Sequence, residues 1–457
     1  MAVEVVESCM VKPSEATPKH GLWLSNLDHL MPRSHMTMVF FYRPSHGSAS
    51  SSPHVLKAAL SKALVPFYPL AGRLAADGTG RPEISCTGDG ALLVIARSDA
   101  RLDEMGDLAP SDELRRTLVP PADGGGGDHA GVLAMFQVTF FSCGAVCLGT
   151  AIYRAAADGR AFGNFLRAWA AMARGVGEAE AAVPRPWLDR TLLRARSPPS
   201  VRFDHAVAVT SRRDVAGGSN PKVPFDTAIL PISRDHVDAL KAGAGTTAGG
   251  GKKVSTFNAV VAHVWGCACK SSSRGAADGT EDDTRVYMTA DARSRVRPPL
   301  PDGYLGNAVV RSLAVAKMGD IASGSLATAA ARVSHATARL SDEFVRSLVD
   351  YLEQATSGAA AEWPVIPETD LWIVSWLGLP FSELDFGWGR PAFVGPATIT
   401  LGGRVYLVPG PDGGGVDVVV AMEPGRLARF KVLFYEGLKR CSLIHAPDRR
   451  VAKPSKL

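Results

Sequence analysis

The sequence predicts an α/β protein of two similar domains, each holding a β-sheet flanked by helices. Three observations carry this reading. The chain has 457 residues, 46% of them apolar, enough to bury two cores of ordinary size. Short apolar runs alternate with segments of helical periodicity, and Gly-rich breaks separate them. From Gly175 to Ser200 the composition shifts to Pro, Arg and Gly, after which the alternation starts again. Residues 1–180 are therefore read as an N-terminal domain, 181–215 as a crossover linker and 216–457 as a C-terminal domain.

In the first half, alternation over residues 2–11 predicts a strand, and residues 35–42 predict another. Residues 54–63 read as a helix with Leu56, Leu60 and Leu64 along one side. The Pro-punctuated string Val65 to Leu74 reads as a turn followed by a buried strand. Two strands are expected near Glu83 and Ala91, and the Gly124–Gly127 tract reads as a surface loop. A strand over 131–141 pairs with an apolar strand over 143–152. That second strand breaks at Asp158-Gly159. Phe162, Phe165, Leu166 and Trp169 then recur at i, i+3, i+4 and i+7, one face of a helix.

The second half repeats the logic. Residues 226–232 predict a strand and 233–242 a helix. A Gly/Thr/Lys loop precedes a second helix, whose core stripe is Phe257, Val260, Val261, Val264 and Trp265, with Ser255 or Thr256 as its cap. A strand from Val286 ends in a charged turn. One long helical region is expected over 321–354 and an apolar strand over 371–380. Residues 404–408 and 416–422 form a hairpin around Asp412–Gly415. Leu427, Phe430, Leu433, Phe434 and Leu438 mark a last helix.

Composition excludes several classes. A net charge of +5 without a long basic run does not indicate nucleic-acid binding, though it suits an anionic co-substrate. The seven cysteines are scattered through apolar strings, which fits core thiols in a reducing compartment. Cys267-Ala-Cys269 has the wrong spacing for a zinc site, so no metal is expected. Glu4 and Glu7 within the Val-rich start argue against a signal peptide. The longest uncharged apolar stretch, Leu371 to Phe381, is too short to span a bilayer. A cytoplasmic monomer is the expectation.

The chemistry is expected where the strand ending near Ile152 turns into the helix after Gly159, a turn that carries Tyr153, Arg154 and Asp158. This segment resembles the central motif of the plant BAHD acyltransferases, His-x-x-x-Asp-Gly followed by a helix with Phe and Trp-Ala. Asp158-Gly159 and Trp169-Ala170 match, but Arg154 stands where the family has its catalytic His. Asp291-Ala-Arg293-Ser-Arg295, Pro298-Pro-Leu-Pro and Tyr304-Leu-Gly-Asn307 resemble a second block of the family. Asp385-Phe-Gly-Trp-Gly-Arg-Pro391 matches a third in full. The resemblance covers nearly the whole chain.

It implies mixed sheets, an active-site channel at the domain interface, and acyl transfer from a CoA thioester with no permanently bound cofactor. Asp158 is then structural, paired with Arg293 and secondarily Arg295, because a buried carboxylate needs a partner and Arg offers a two-pronged one. Gly159, Gly387, Trp388 and Gly389 belong to the structural set, while Asp385 is grouped with Arg154 as catalytic. The CoA nucleotide is expected at Lys252, Lys253, Ser255 and Thr256, where lysines flank a helix N-terminus that favours anions. No Walker pattern is present, which argues against a nucleoside triphosphate.

A neutral His serves as a base near pH 7, whereas a guanidinium stays protonated and cannot. Loss of such a base costs on the order of 10²–10⁴ in rate. Three readings follow: acyl transfer with proton removal by Tyr153, His35 or a water; a protein that binds acyl-CoA or a protein partner without turnover; or a different reaction. For the first, Arg154 stabilises the oxyanion or holds a carbonyl. The opening, Val5 to Asp28, resembles the grass hydroxycinnamoyltransferases. At the positions where members acting on shikimate hold the acceptor, this chain has Ala361, Val374, Met38 and Phe40. The expected acceptor site is therefore His35, Met38, Phe40, Val374 and Trp376. Glu362, Glu368 and Asp370 favour a cationic amine, of the putrescine, agmatine, tryptamine or tyramine type. A hydroxyl acceptor is the alternative.

Overall fold

The computed structural model describes residues 1–44, 52–121, 131–177, 182–205, 224–245, 253–272, 281–355, 366–411 and 413–445. The expectations placed on Gly124–Gly127, Lys252, Ala361, Glu362, Asp412 and linker residues 206–215 lie outside them.

Strands in chain order are β1 (Glu4–Val11), β2 (Gly21–Trp23), β3 (His35–Tyr42), β4 (Arg73–Ala76), β5 (Pro82–Ser85), β6 (Ala91–Ser98), β7 (Ala134–Phe141), β8 (Val146–Tyr153), β9 (Asp226–Ile232), β10 (Asp283–Asp291), β11 (Val309–Lys317), β12 (Leu371–Ser375), β13 (Phe393–Pro396), β14 (Arg404–Pro409) and β15 (Val416–Met422). They form two six-stranded sheets, β1-β6-β7-β8-β3-β13 and β11-β10-β12-β14-β15-β9, and a small sheet β2-β5-β4. Both large sheets are mixed: β6–β7 is parallel in the first, β10–β12 and β12–β14 in the second. The first sheet takes its edge strand β13 from the second half of the chain, where it pairs antiparallel with β3.

Helices cover each sheet. In the first half, Pro53–Ala63 packs against Gly159–Ala173. There Phe136 of β7 meets Phe162, Phe165 and Trp169, and the Trp169 indole donates to Leu56 O at 3.0 Å. In the second half, Thr256–Ser271 packs against Arg234–Ala244, Leu326–Ala338 and Pro424–His445. Ser255 is its cap, accepting from Asn258 N at 3.1 Å.

Two expectations need correction. The long helical region is three helices, Met318–Ser323, Leu326–Ala338 and Asp342–Gln354. Ser325 and Ser341 each accept from a backbone N–H three residues on, and such caps start new helices. The strand beginning at Leu371 ends at Ser375, because the chain turns through Gly378 at φ +79° into Pro380. β11 was not foreseen at all.

The crossover is bonded to the body of the molecule. Trp187 N donates to Gly303 O at 2.7 Å and Leu305 N to Trp187 O at 2.8 Å. Arg196 binds Asp350 and Glu343 on the helix Asp342–Gln354.

Candidate active site

β8 ends at Tyr153, and the turn Arg154–Asp158 leads into the helix Gly159–Ala173. Asp158 caps that helix: Oδ1 accepts from Ala161 N at 3.0 Å and Oδ2 from Ala308 N at 2.9 Å. Both oxygens also take the Arg293 guanidinium, Nη1 at 2.8 Å and Nη2 at 3.0 Å. Burial alone lowers the basicity of Arg293; the Asp158 carboxylate outweighs it and holds the guanidinium above its ordinary range. Its remaining contacts are Asp291 at 3.3 Å and Tyr304 O at 3.1 Å. Arg295 does not reach Asp158; it donates to the carbonyls of Asp291, Thr337 and Leu340.

A second buried ion pair grips the same turn. Asp28 and Arg190, 0% and 2% exposed, meet at 2.9 Å. Arg190 also donates to Ala156 O at 3.2 Å. Asn307 donates from its side chain to both Asp28 Oδ1 and Arg154 O, each at 3.0 Å. Arg154 N donates to Ser34 O at 3.1 Å. The turn is thus fixed by side chains from the N-terminal half, the crossover and the C-terminal half. The only local sign of this second pair is the capping pattern Ser25-Asn-Leu-Asp28. Nothing in the sequence points Asp28 to a partner 162 residues away.

The Arg154 side chain lines a cavity of about 40 Å³ together with His35, Thr37, Trp376, Arg404 and Tyr406. This space holds two or three water-sized groups. Burial pushes the Arg154 guanidinium below its usual basicity; a hydrogen bond and charge interaction with Tyr406 oppose this, and Arg404 adds to it. Burial likewise raises the Tyr153 phenol, with Arg33 opposing. His35 lies on β3 directly across from Tyr153, and their rings meet edge to face at 5.4 Å. His35 Nε2 is 2.8 Å from Val132 O. A carbonyl only accepts, so Nε2 carries a proton, and in the neutral ring the lone pair is then on Nδ1.

The other expected residues are distributed as follows. Trp376 lines the cavity and touches Phe381 and Tyr406, ring centroids 5.5 and 5.4 Å away. Met38 and Phe40 do not line it: both are 0% exposed and belong to the core under β3, with Phe40 against Phe381. The cavity opens only at the start of β3, and the pleat carries the later residues into packing. Val374 also stays outside the lining, half-buried against the same core. Asp385 is not brought to Arg154. Its Oδ1 accepts from Gly387 N at 2.7 Å and Gly389 N at 2.9 Å, folding its own loop, and Oδ2 is 3.6 Å from Arg174. Gly387 and Gly389 sit at φ +95° and +82°, where side-chain-bearing residues are strained. Trp388 packs on Tyr42 and Phe386 on Trp169, so this loop is part of the first core. Gly159 leaves room for Leu379; an added Cβ would come within 2.9 Å of its methyl group.

Glu368 and Asp370, two of the acidic residues expected to attract an amine, lie elsewhere. Glu368 accepts from Ser272 at 3.4 Å, and Asp370 is buried beside Arg285. Lys253 and Ser255 are exposed and Thr256 half-buried at the start of its helix. Among the described residues no group of three or more His, Cys, Asp and Glu is arranged to hold a metal ion. None of their helices is long and apolar enough to cross a membrane.

The sequence pattern of the Transferase family matches residues 1–436. The chain is 62% identical over 457 residues to Putrescine hydroxycinnamoyltransferase 1 of Oryza sativa subsp. japonica, covering 96% of this chain and 100% of that protein. It is 39% identical over 448 residues to Shikimate O-hydroxycinnamoyltransferase of Nicotiana tabacum, covering 95% and 100%. Among solved structures, Vinorine Synthase superposes with a TM-score of 0.72 at 25% identity, covering 95% of this chain and 98% of that one.

Proposed function

Because the chain belongs to the Transferase family, the BAHD-type CoA-dependent acyltransferases, we propose that it moves a hydroxycinnamoyl group from coenzyme A to an amine, giving an amide. The observation that carries the choice of an amine is the 62% identity, over essentially the whole chain, to a putrescine hydroxycinnamoyltransferase. The amine nitrogen attacks the thioester carbonyl, the C–N bond forms, and the C–S bond breaks. The proton lost by the amine leaves with the CoA thiolate.

His35 takes that proton. It lines the same cavity as Arg154 and stands one strand over from the position where the motif otherwise supplies an imidazole, and the Nε2 contact to Val132 O fixes its ring. Arg154 has no lone pair to offer and serves as a donor to the oxyanion that forms on the thioester carbonyl. Trp376 and Tyr406 form the wall beside them. The CoA nucleotide lies against Lys253, Ser255 and Thr256, where a helix start and a lysine suit phosphate. The protein works as a cytoplasmic monomer.

The test follows free thiol as purified protein meets coumaroyl-CoA and a panel of amines. Turnover well above the uncatalysed background is expected. His35→Gln should lower kcat by about 10²-fold or more while CoA-ester binding and the thermal melt hold. Turnover confined to an Arg154→His variant would overturn the reading in favour of a binding protein, and absence of CoA-ester binding would remove both.

A further inference from the structure

A second cleft, of about 360 Å³, lies between β2, the crossover and the last turn of the helix Asp342–Gln354. Its volume falls in the range of small-molecule sites. Trp23, Arg81, Arg194, Arg196, Ser197 and Glu353 line it. The guanidiniums of Arg81 and Arg194 both lie over the Trp23 ring, 5.4 and 5.1 Å from its centroid, so two positive charges share one wall. Arg81 donates to Leu24 O at 3.1 Å and to Asn26 Oδ1 at 2.9 Å, both neutral acceptors. The Arg194 guanidinium rests on the ring, and its side chain is exposed. Asp77 and Asp189 act on these two at longer range, but each is turned into its own loop, Asp77 accepting from Thr79 N and Arg81 N, Asp189 from Thr191 N. Arg196 differs: it is bound to Asp350 at 2.6 Å and Glu343 at 3.0 Å, so it shapes the wall and has no charge to spare. The wall is braced from behind, since the buried Asn26 takes Arg81 and donates to Glu353 at 2.7 Å. Two guanidiniums without a directly paired carboxylate suit a multiply charged anion, and Arg forks match phosphate oxygens. Glu353 is the one carboxylate lining the cleft among the described residues; it repels a bare anion but accepts a hydrogen bond from a hydroxyl.

We propose that this cleft binds a small phosphate ester that also carries hydroxyl groups, a sugar phosphate by class. The phosphoryl oxygens take Arg81 and Arg194, Ser197 adds a hydroxyl donor, and Glu353 accepts from the hydroxyls of the guest. CoA carries the same chemistry on its ribose, so the test separates the two sources. The site stands apart from the acyl-transfer reading, and binding rather than turnover reads it.

The test titrates the full chain by calorimetry with glucose 6-phosphate, with glucose and with inorganic phosphate. Glucose 6-phosphate should bind about tenfold or more tighter than either of the others, and added salt should weaken it. Arg194→Met, a change at an exposed side chain, should lower that affinity by about tenfold, and Arg194→Lys should keep part of it. Glu353→Ala should bring glucose 6-phosphate and inorganic phosphate closer together. Thermal melts show that the variants fold. Glucose or inorganic phosphate binding as tightly as the ester, or an affinity that Arg194→Met leaves unchanged, overturns the proposal. CoA supplies the last arm: its binding should be unmoved by glucose 6-phosphate and by Arg194→Met. Mutual displacement of the two that Arg194→Met removes overturns a separate site and assigns the cleft to the nucleotide end of CoA.

Discussion

Removing the carboxylate at the motif turn with Asp158→Ala should cost far more than a surface ion pair does. Asp158 accepts four bonds, two from Arg293 at 2.8 and 3.0 Å and one each from Ala161 N and Ala308 N at 3.0 and 2.9 Å. Breaking a buried pair from one side costs about 3–5 kcal/mol, because the abandoned charge stays buried. Loss of the helix cap adds about 1 kcal/mol. Arg293 keeps contacts with Asp291 and Tyr304 O, which favours the lower end. A loss of about 4 kcal/mol is expected, a large share of an ordinary stability of about 5–15 kcal/mol. Divided by an m-value of about 3 kcal/mol/M, it moves the urea midpoint down by about 1.3 M. Tryptophan fluorescence reads the transition. The double variant Asp158→Ala/Arg293→Met should recover part of the loss, since it removes the stranded guanidinium. A midpoint shift below about 0.3 M, or a double variant as weak as the two singles added together, would refute the reasoning.

Two further outcomes follow from the packing. His263 is buried, 3.1 Å from Phe434 O, and burial pushes it down to about 4, the carbonyl opposing. The folded state therefore holds the neutral ring; the stability this contributes is full above about pH 6.5 and lost as pH falls through about 4, on the order of 3 kcal/mol in all. Stability measured from pH 7 to 4 for the wild type minus His263→Gln should fall over that window, and a flat difference would contradict the assignment. At Gly303 an added Cβ would sit 1.9 Å from the backbone oxygen of Arg185, which cannot yield as a flexible side chain can. Gly303→Ala should loosen the Trp187 strap and expose the arginines of the crossover to trypsin, seen as faster cleavage between residues 185 and 196; an unchanged digestion pattern would count against the strap.

Much of the fold was legible because β3, β9 and the strand pair β7–β8 alternate or run apolar over strand length, and because Phe162, Phe165, Leu166 and Trp169 mark a single helical face. The motif turn stood out for the same reason: a buried strand stops at Tyr153, and Asp158-Gly159 opens the helix after it. What stayed hidden depended on contacts far apart in sequence. A helical period over 321–354 does not reveal that serines restart the helix twice. Four residues at Phe393–Pro396 are too short to announce a strand, and their partner is more than 350 residues earlier in the chain. Met38 and Phe40 share the strand with His35, but only its first turn of pleat reaches the cavity. Arg404 carried no local signal: an Arg opening a strand usually faces solvent, and only the packing of the two halves encloses this one.

The loan of β13 to the first sheet has a practical consequence. A protein cut within the crossover would leave β3 as a raw edge, its outward N–H and C=O groups open to any passing strand. The same edge begins at His35 and Thr37, while Pro396, at the end of the borrowed strand, helps to wall the cavity. Neither fragment alone holds the whole wall of that cavity, and a mixture of the two should regain it only by restoring that seam.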